Sequence, residues 1–242
     1  MPINKWKKIF GSQSQYINKS PYNLMSYSLF AKVYSNAINY SDFLLIMKFI
    51  SNRLTLKKNS SILDYGSGNG AILLYFLSNF SLKKNISIEI NKSFLNFQKR
   101  FIKHTKFLKV NFFNPHSLLR KIKRNSVDSI MCNSVFQYFV SQEQAILVLL
   151  EFARISKKRI FIYDIKNNEM KKKYQEALRK RQGLSKLQFK KKYLNTPIRT
   201  CHKSFFLKNE KLNKIAKSVK IYPLPKCALD SKFGFCVMIE KN

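Results

Sequence analysis

SILDYGSGNGAILLYF, residues 61–76, holds three of the chain's six glycines, alternating at Gly66, Gly68 and Gly70. The apolar run SIL reads as a strand, the residues after Gly70 follow a helical period, and the glycines lie between them. Glycine supplies turn dihedrals that other residues resist and lets a ligand come close to the backbone. In an open parallel sheet, the crevice beyond the strand ends is where nucleotides bind. The spacing then selects among them. A dinucleotide site takes G-x-G-x-x-G with the pyrophosphate on the helix N-terminus, whereas here Asp64 stands two residues before Gly66, where its charge would repel a pyrophosphate. A carboxylate there suits a cofactor with ammonium and sulfonium charge, attracted directly or through water. The plainer alternative is an ordinary glycine turn after a strand.

Glu89 favours the first reading. It closes the next apolar run, ISIEIN (86–91), twenty-one residues beyond Gly68. At that separation an acidic residue reaches the ribose hydroxyls of an adenosine cofactor. Only 12 Asp and Glu stand against 46 Lys and Arg, so two acidic residues at the ends of the first two strands are hard to assign to chance.

Outward from this segment, short apolar runs alternate with helical periods. The reading is strand 60–65, helix 69–80, strand 85–90, helix 92–103, strands 106–111 and 127–133, helix 141–155 and strand 158–164. Such alternation predicts an α/β fold, a parallel sheet with helices on both faces. Upstream, within 22–56, LMSYSLFAKVY and DFLLIMKFISNRL each read as an amphipathic helix, giving an N-terminal helical extension over 1–56 and a main domain over 57–242. After Asp164 the pattern changes. Residues 166–192 carry eleven Lys and Arg, two Glu and few large apolar side chains, a basic helical insertion extending over 166–200 that reads either as a solvated lid or as a basic cap over the substrate mouth. A helix near 203–217, a strand near 218–222, a turn with Pro223 and Pro225 and a last strand 233–240 follow; strands joined in this way form an antiparallel hairpin at the sheet edge. No internal repeat and no linker rich in Pro, Gly or Ser divides the chain.

With 242 residues, 45% of them hydrophobic, and with 21 Phe and 12 Tyr, the chain can fill a large core. A formal charge of +34 concentrates polyanions. Yet Lys outnumbers Arg 37 to 9 among abundant Asn, Ile, Phe and Tyr, the bias of an AT-rich genome, and phosphate readers favour the planar, bidentate Arg. Nucleic acid is therefore not the favoured partner. Cys132, Cys201, Cys227 and Cys236 show neither C-x-x-C spacing nor a nearby His pair, which argues against a metal site and a disulfide framework and for a cytoplasmic location. The longest apolar run, Phe43 to Met47 continued by Phe49 and Ile50, is broken by Lys48 and too short for a transmembrane segment. The start, MPINKWKKIF, lacks the apolar centre of a signal peptide and reads as a solvated tail, with contact at a membrane surface the second reading of its basic residues, Trp6 and Phe10.

LDYGSGNG (63–70) resembles motif I of the class I S-adenosylmethionine-dependent methyltransferases, ISIEIN resembles motif II, and SVDSIMCNSVFQYF (126–139) resembles the fourth strand and the loop after it. The likeness covers about residues 58–165. It implies a Rossmann-like, seven-stranded, mostly parallel sheet with S-adenosyl-L-methionine as cofactor. By this resemblance Gly66, Ser67 and Gly68 contact the methionine part and ribose, Glu89 the ribose, and Asn111 and Phe112 the adenine. Asn133 and Ser134 line the methionine end, and Asp64, Gly70 and Ile90 complete the cofactor-binding set. Asn111 stands where the family often has Asp. The tail YPLPKCALDSKFGFCVMIEK (222–241) looks like the ending of methyltransferases encoded with bacterial surface-polysaccharide genes.

Methyl transfer asks little of the protein, because the sulfonium is already activated and the enzyme supplies mainly in-line positioning and desolvation. A general base is dispensable. If one acts, His202 in RTCHKSFF (199–206) is the candidate, since an imidazole ordinarily titrates near neutrality; histidines are also ordinary turn and core residues. Tyr138 and Asp164 fall near the crevice, Tyr138 equally suited to pack on cofactor or core and Asp164 to cap the following helix. Cys132 reads as a buried strand residue, with no Pro-Cys nucleophile motif beside it.

The expected acceptor is a small molecule methylated on O or N, such as a sugar or polysaccharide precursor. RNA is the runner-up, on charge. Against RNA, the fourth strand ends in Cys132-Asn133-Ser134-Val135 rather than the Asn-Pro-Pro-Tyr signature used on exocyclic base amines, and no appended RNA-binding module is visible. A third reading, a binding module without transfer activity, sits poorly with the intact glycine loop and Glu89.

Overall fold

The computed structural model describes residues 40–194, 200–228 and 231–241; the first expected N-terminal helix, LMSYSLFAKVY, lies outside the described residues. Seven strands form one sheet: β1 Ser61–Tyr65, β2 Lys84–Glu89, β3 Thr105–Lys109, β4 Val127–Asn133, β5 Ser156–Lys166, β6 Ala216–Pro223 and β7 Gly234–Lys241. Their order is β3-β2-β1-β4-β5-β7-β6. β1 to β5 are mutually parallel, and β7 runs antiparallel to both β5 and β6. The helices are α1 Tyr40–Leu54, α2 Ala71–Asn79, α3 Lys92–Phe101, α4 Pro115–Arg120, α5 Gln142–Ile155, α6 Lys171–Arg181, α7 Lys186–Tyr193 and the single turns α8 Ser204–Leu207 and α9 Glu210–Asn213.

The central strands are near-continuous apolar runs because both sheet faces are covered. Side chains alternate across the sheet. In β5, Ile160 and Ile162 join one core cluster while Phe161 and Tyr163 join the other; in β4, Ile130 and Cys132 oppose Met131. The α1 side chains Phe43, Ile46, Met47, Ile50 and Leu54 recur at helical spacing, and each is at most 1% exposed. They cover Met131, Phe161 and Tyr163 on the second face, each contributing about 1.5–3 kcal/mol by burial. At the two edges burial weakens. β3 and β6 are only partly buried, and the edge strand β6 carries Lys217 and Lys220, which discourage pairing with another chain.

The expected sheet, its antiparallel edge pair and the run of elements from β1 to β5 are present, with boundaries shifted by up to about three residues. Within that edge pair β7 lies between β5 and β6, so the earlier strand of the hairpin is the outer one. Two local features differ. The helix expected over 203–217 is two turns: Asn209 accepts from the Leu212 amide at 3.1 Å and restarts the backbone, and the chain enters β6 at Ala216 through pairing with Lys241. A short helix, α4, occupies 115–120, where none was expected; Pro115 opens it and the Arg154 guanidinium donates to the Leu119 carbonyl at 2.8 Å near its end. No helix among the described residues is long and apolar enough to cross a membrane.

Candidate active site

β2 lies on one side of β1 and β4 on the other, so the chain reverses direction of travel across the sheet at β1. At such a switch point the carboxyl ends of the strands open a crevice, and the glycine loop lies in it. Gly66 and Ser67 donate their N–H groups to the Ile88 carbonyl at 2.8 and 3.1 Å, which ties the loop to β2. At Gly66 a Cβ would fall 2.1 Å from Val135 Cγ2, so only glycine fits between β1 and the segment after β4. Gly68 is the opposite case. Its φ is +56°, and nothing lies within 4 Å of an added Cβ; the backbone there borders open space, as a backbone that cradles a ligand must. Gly70 ends the loop and precedes α2.

Glu89, 6% exposed, closes the far side. Its Oε2 accepts from Gly68 N–H at 2.8 Å, and its Oε1 from Ile90 and Asn91 N–H at 2.8 and 2.9 Å. Burial pushes its carboxyl above the usual range, while these three amides pull it back in part. With two lone pairs on each oxygen, Oε2 retains acceptor capacity for a hydroxyl. Asp64, at the end of β1, is 1% exposed, and neither of its oxygens has a hydrogen-bond partner. Burial first, and the Glu89 charge second, push its carboxyl from 3.8 up to about 7. A buried carboxylate without a donor is strongly disfavoured, and a cation beside it removes that penalty. A carboxylate for an ammonium, a carboxylate for ribose hydroxyls and an open glycine backbone together fit S-adenosyl-L-methionine.

Gln98, a site residue outside the expected set, holds the loop. It is fully buried on α3; its Nε2 donates to Ser67 Oγ at 2.8 Å and to the Gly68 carbonyl at 2.7 Å, while its Oε1 accepts from Ser87 Oγ at 2.6 Å. A glutamine on the same helix face as Phe94 and Leu95, both buried, was the available signal: a polar side chain on an apolar stripe must find partners.

At the ends of β4 and β5, Ser134 and Asp164 take left-handed backbone conformations, φ 53° and 60°. Each such non-glycine residue costs about 1–3 kcal/mol and tends to cluster where function needs it. Their side chains meet: Ser134 Oγ donates to Asp164 Oδ2 at 2.7 Å, and Lys166 Nζ donates to Asp164 Oδ1 at 2.6 Å in a buried ion pair. Asp164 thus pairs across the strand ends and does not cap the next turn. That role falls to Asn167, whose Oδ1 accepts from Glu169 N–H at 3.2 Å. Tyr138 lies beside this pair; burial raises its phenol, the Gln137 bond lowers it, and Asp164 raises it again.

The structure therefore joins Gly66, Ser67, Gly68 and Glu89 by hydrogen bonds through the end of β2, with the unpartnered Asp64 carboxyl near enough to feel the Glu89 charge, and brings Asn133 and Ser134 together at the end of β4, where Ser134 Oγ also lies 3.3 Å from Asn133 Oδ1. Half-buried Ile90 packs on the first core cluster. Asn111 is exposed and its Oδ1 accepts from Phe113 N–H at 3.0 Å. Half-buried Phe112 is held through its carbonyl by Gln144 Nε2 at 3.1 Å. His202 is exposed; its Nε2 lies 2.5 Å from Asn168 Nδ2, beyond the end of β5. Cys132 is fully buried in β4, where burial drives its thiol further from ionisation.

A family model described as a methyltransferase domain matches residues 56–220. We find no significant match among curated protein sequences. Among solved structures, phosphoethanolamine N-methyltransferase 1 of Haemonchus contortus, in complex with phosphoethanolamine and S-adenosylhomocysteine, shares 16% identity over all of this chain and 50% of its own, with a TM-score of 0.60. Geranyl diphosphate C-methyltransferase of Streptomyces coelicolor, with Mg2+, geranyl diphosphate and S-adenosyl-L-homocysteine, gives 10%, 96% and 97% coverage and a TM-score of 0.54. A SAM-dependent methyltransferase of Aquifex aeolicus gives 15%, 96% and 98% and 0.51. Identities this low speak for the fold alone. Matched by the family model over most of its length, the chain belongs to the methyltransferase domain family.

Proposed function

We propose that the protein methylates an O or N atom of a small molecule, such as a sugar or polysaccharide precursor, in the cytoplasm. The observation that carries the cofactor half of this reading is Asp64, a buried carboxylate with both oxygens unpartnered beside the open Gly68 backbone. S-adenosyl-L-methionine, once bound, supplies an activated methyl group on a sulfonium. Asp64 holds the ammonium of its amino-acid part, Ser67 and Gly68 border its methionine and ribose, Glu89 accepts from the ribose hydroxyls, and Asn111 and Phe112 border the adenine. Asn133 and Ser134 line the methionine end. Transfer then needs alignment and exclusion of water more than proton chemistry, so His202 serves as a base only if the acceptor requires one. The sugar assignment rests on the likeness of the terminal hairpin. In this reading residues 57–242 are the transferase domain with its basic insertion, and 1–56 a helical extension ending in α1.

An RNA acceptor is the second reading, favoured by the exposed Lys171, Lys172 and Lys173 at the start of α6. The deciding measurement is transfer of labelled methyl to a small-metabolite extract and to total RNA at physiological salt. Label in the metabolite fraction is the expected result. Label in one RNA species, lost when Lys171, Lys172, Lys173, Arg179 and Arg181 are neutralised, would replace the small-molecule assignment.

A further inference from the structure

The buried pair of Asp164 and Lys166 does more than join two strand ends. Both side chains are enclosed, and a buried ion pair is weak evidence for stability because desolvation offsets its attraction. What the pair settles is the direction of one hydroxyl. An ammonium only donates and a carboxylate only accepts. Lys166 Nζ occupies Asp164 Oδ1 at 2.6 Å, so Ser134 Oγ, 2.7 Å from Oδ2, is the donor there and commits its single proton. Its other contact, 3.3 Å to Asn133 Oδ1, is longer and is again with an acceptor. The insertion keeps Lys166 in place: Tyr174 of α6, 5% exposed, sets its ring centroid 5.1 Å from Nζ. Ser134 itself is only half-buried, and its neighbour Val135 lies against Gly66 of the loop. The Ser134 hydroxyl therefore meets the crevice with lone pairs and not with a proton. A second oxygen of this turn wants a donor too: Gln137 Nε2 donates to the Ser134 carbonyl at 3.0 Å, while its Oε1 has no hydrogen-bond partner.

We propose that Ser134 receives the methyl acceptor by its O–H or N–H hydrogen, with Asp164 and Lys166 as the positioning residues that hold the hydroxyl in this sense. The methylated group is then a hydroxyl or an amine. A carboxylate has no hydrogen to give and would set lone pair against lone pair; a carbon acceptor has no donor either. An acceptor held by its hydrogen keeps a lone pair for the methyl carbon, which is the alignment that transfer needs. The proposal rests on the reading that the methionine end of S-adenosyl-L-methionine lies at Asn133 and Ser134.

The test is transfer of labelled methyl from S-adenosylmethionine to a small-metabolite extract. The label is then treated with mild alkali, which frees methanol from methyl esters only, and with hot hydriodic acid, which frees methyl iodide from oxygen and nitrogen but not from carbon. Label that is stable to alkali and released by the acid is expected. Ser134→Gly, a residue that φ 53° suits, should lower transfer about a hundredfold. Asp164→Asn keeps a left-handed backbone that asparagine tolerates. Lys166 still holds its oxygen, so the amide N–H faces Ser134 and turns the hydroxyl proton outward. Transfer should fall as far, while S-adenosylhomocysteine binding stays at the parent level. If the unpaired Lys166 unfolds that variant, Asp164→Asn with Lys166→Met removes both buried charges and is expected to show the same split between transfer and binding. Parent-level transfer by a folded variant overturns the proposal. So does loss of S-adenosylhomocysteine binding together with transfer, and so does label on a carboxylate or on carbon. A parent that binds no S-adenosylhomocysteine overturns the cofactor reading itself, and the proposal with it.

Discussion

Asp64→Asn removes a buried charge at nearly constant shape, and its consequences for stability and for ligand binding run in opposite directions. Burial and Glu89 raise the Asp64 carboxyl from 3.8 to about 7, which at 1.36 kcal/mol per unit corresponds to about 4 kcal/mol. Because the folded-state value lies above the unfolded one, the folded chain binds more protons between those two pH values. Stability from this group is therefore full below pH 3.8, falls as pH rises, and is lost above about 7. Asn carries no charge to desolvate but leaves an unpaired buried amide, a penalty of about 1–3 kcal/mol. At pH 8 the variant should thus exceed the parent by about 1–3 kcal/mol, with the advantage shrinking or reversing toward pH 4. Binding moves the other way. An ammonium beside Asp64 pulls its carboxyl down, so parent binding of S-adenosylhomocysteine near pH 6.5 should release a proton and tighten with rising pH, and the variant should lose both effects along with about tenfold in affinity or more. Urea unfolding across pH 4 to 8 measures the first claim, and calorimetry in buffers of different ionisation enthalpy the second. Parallel pH profiles for parent and variant, or unchanged affinity in the variant, would refute the assignment of Asp64 as a buried cation partner.

Two further substitutions probe the loop. Gly68→Val puts a β-branched side chain at φ +56° into the space beside the backbone; it should lower stability by about 1–2 kcal/mol and abolish measurable S-adenosylhomocysteine binding, and a circular-dichroism melt beside calorimetry would expose the error if binding survives. Gln98→Leu leaves Ser67, Ser87 and the Gly68 carbonyl short of partners, so a loss of about 1–3 kcal/mol in urea unfolding should accompany weaker cofactor binding; unfolding at the parent midpoint would show that the network does not hold the loop.

The strand-loop-helix unit at 61–79 was legible because its signals are local: a short apolar strand, three alternating glycines and a helical period follow one another in the chain. Glu89 was legible for the same reason, since strand lengths and loop lengths determine how far along the chain the next strand end falls. Asp64 could be located but not its state. Its elevated carboxyl comes from burial under the sheet and from Glu89 on the neighbouring strand, and neither is a property of residues 61–70 alone.

What the chain order determined was the alternation of elements, the position of the glycine loop and the basic character of the insertion, because hydrophobic period and turn chemistry act between near neighbours. Tertiary structure alone decided the rest. The partners of Gln98 are 11 and about 30 residues away in sequence, and Asp164 was drawn to Ser134 and Lys166 instead of capping a turn because β4 and β5 end side by side. β7 took the inner place beside β5 because the sheet offered an apolar edge there that Phe235, Val237 and Ile239 could cover. Each of these outcomes depends on which surfaces meet, a long-range matter of burial and hydrogen-bond satisfaction that no periodicity within one segment encodes.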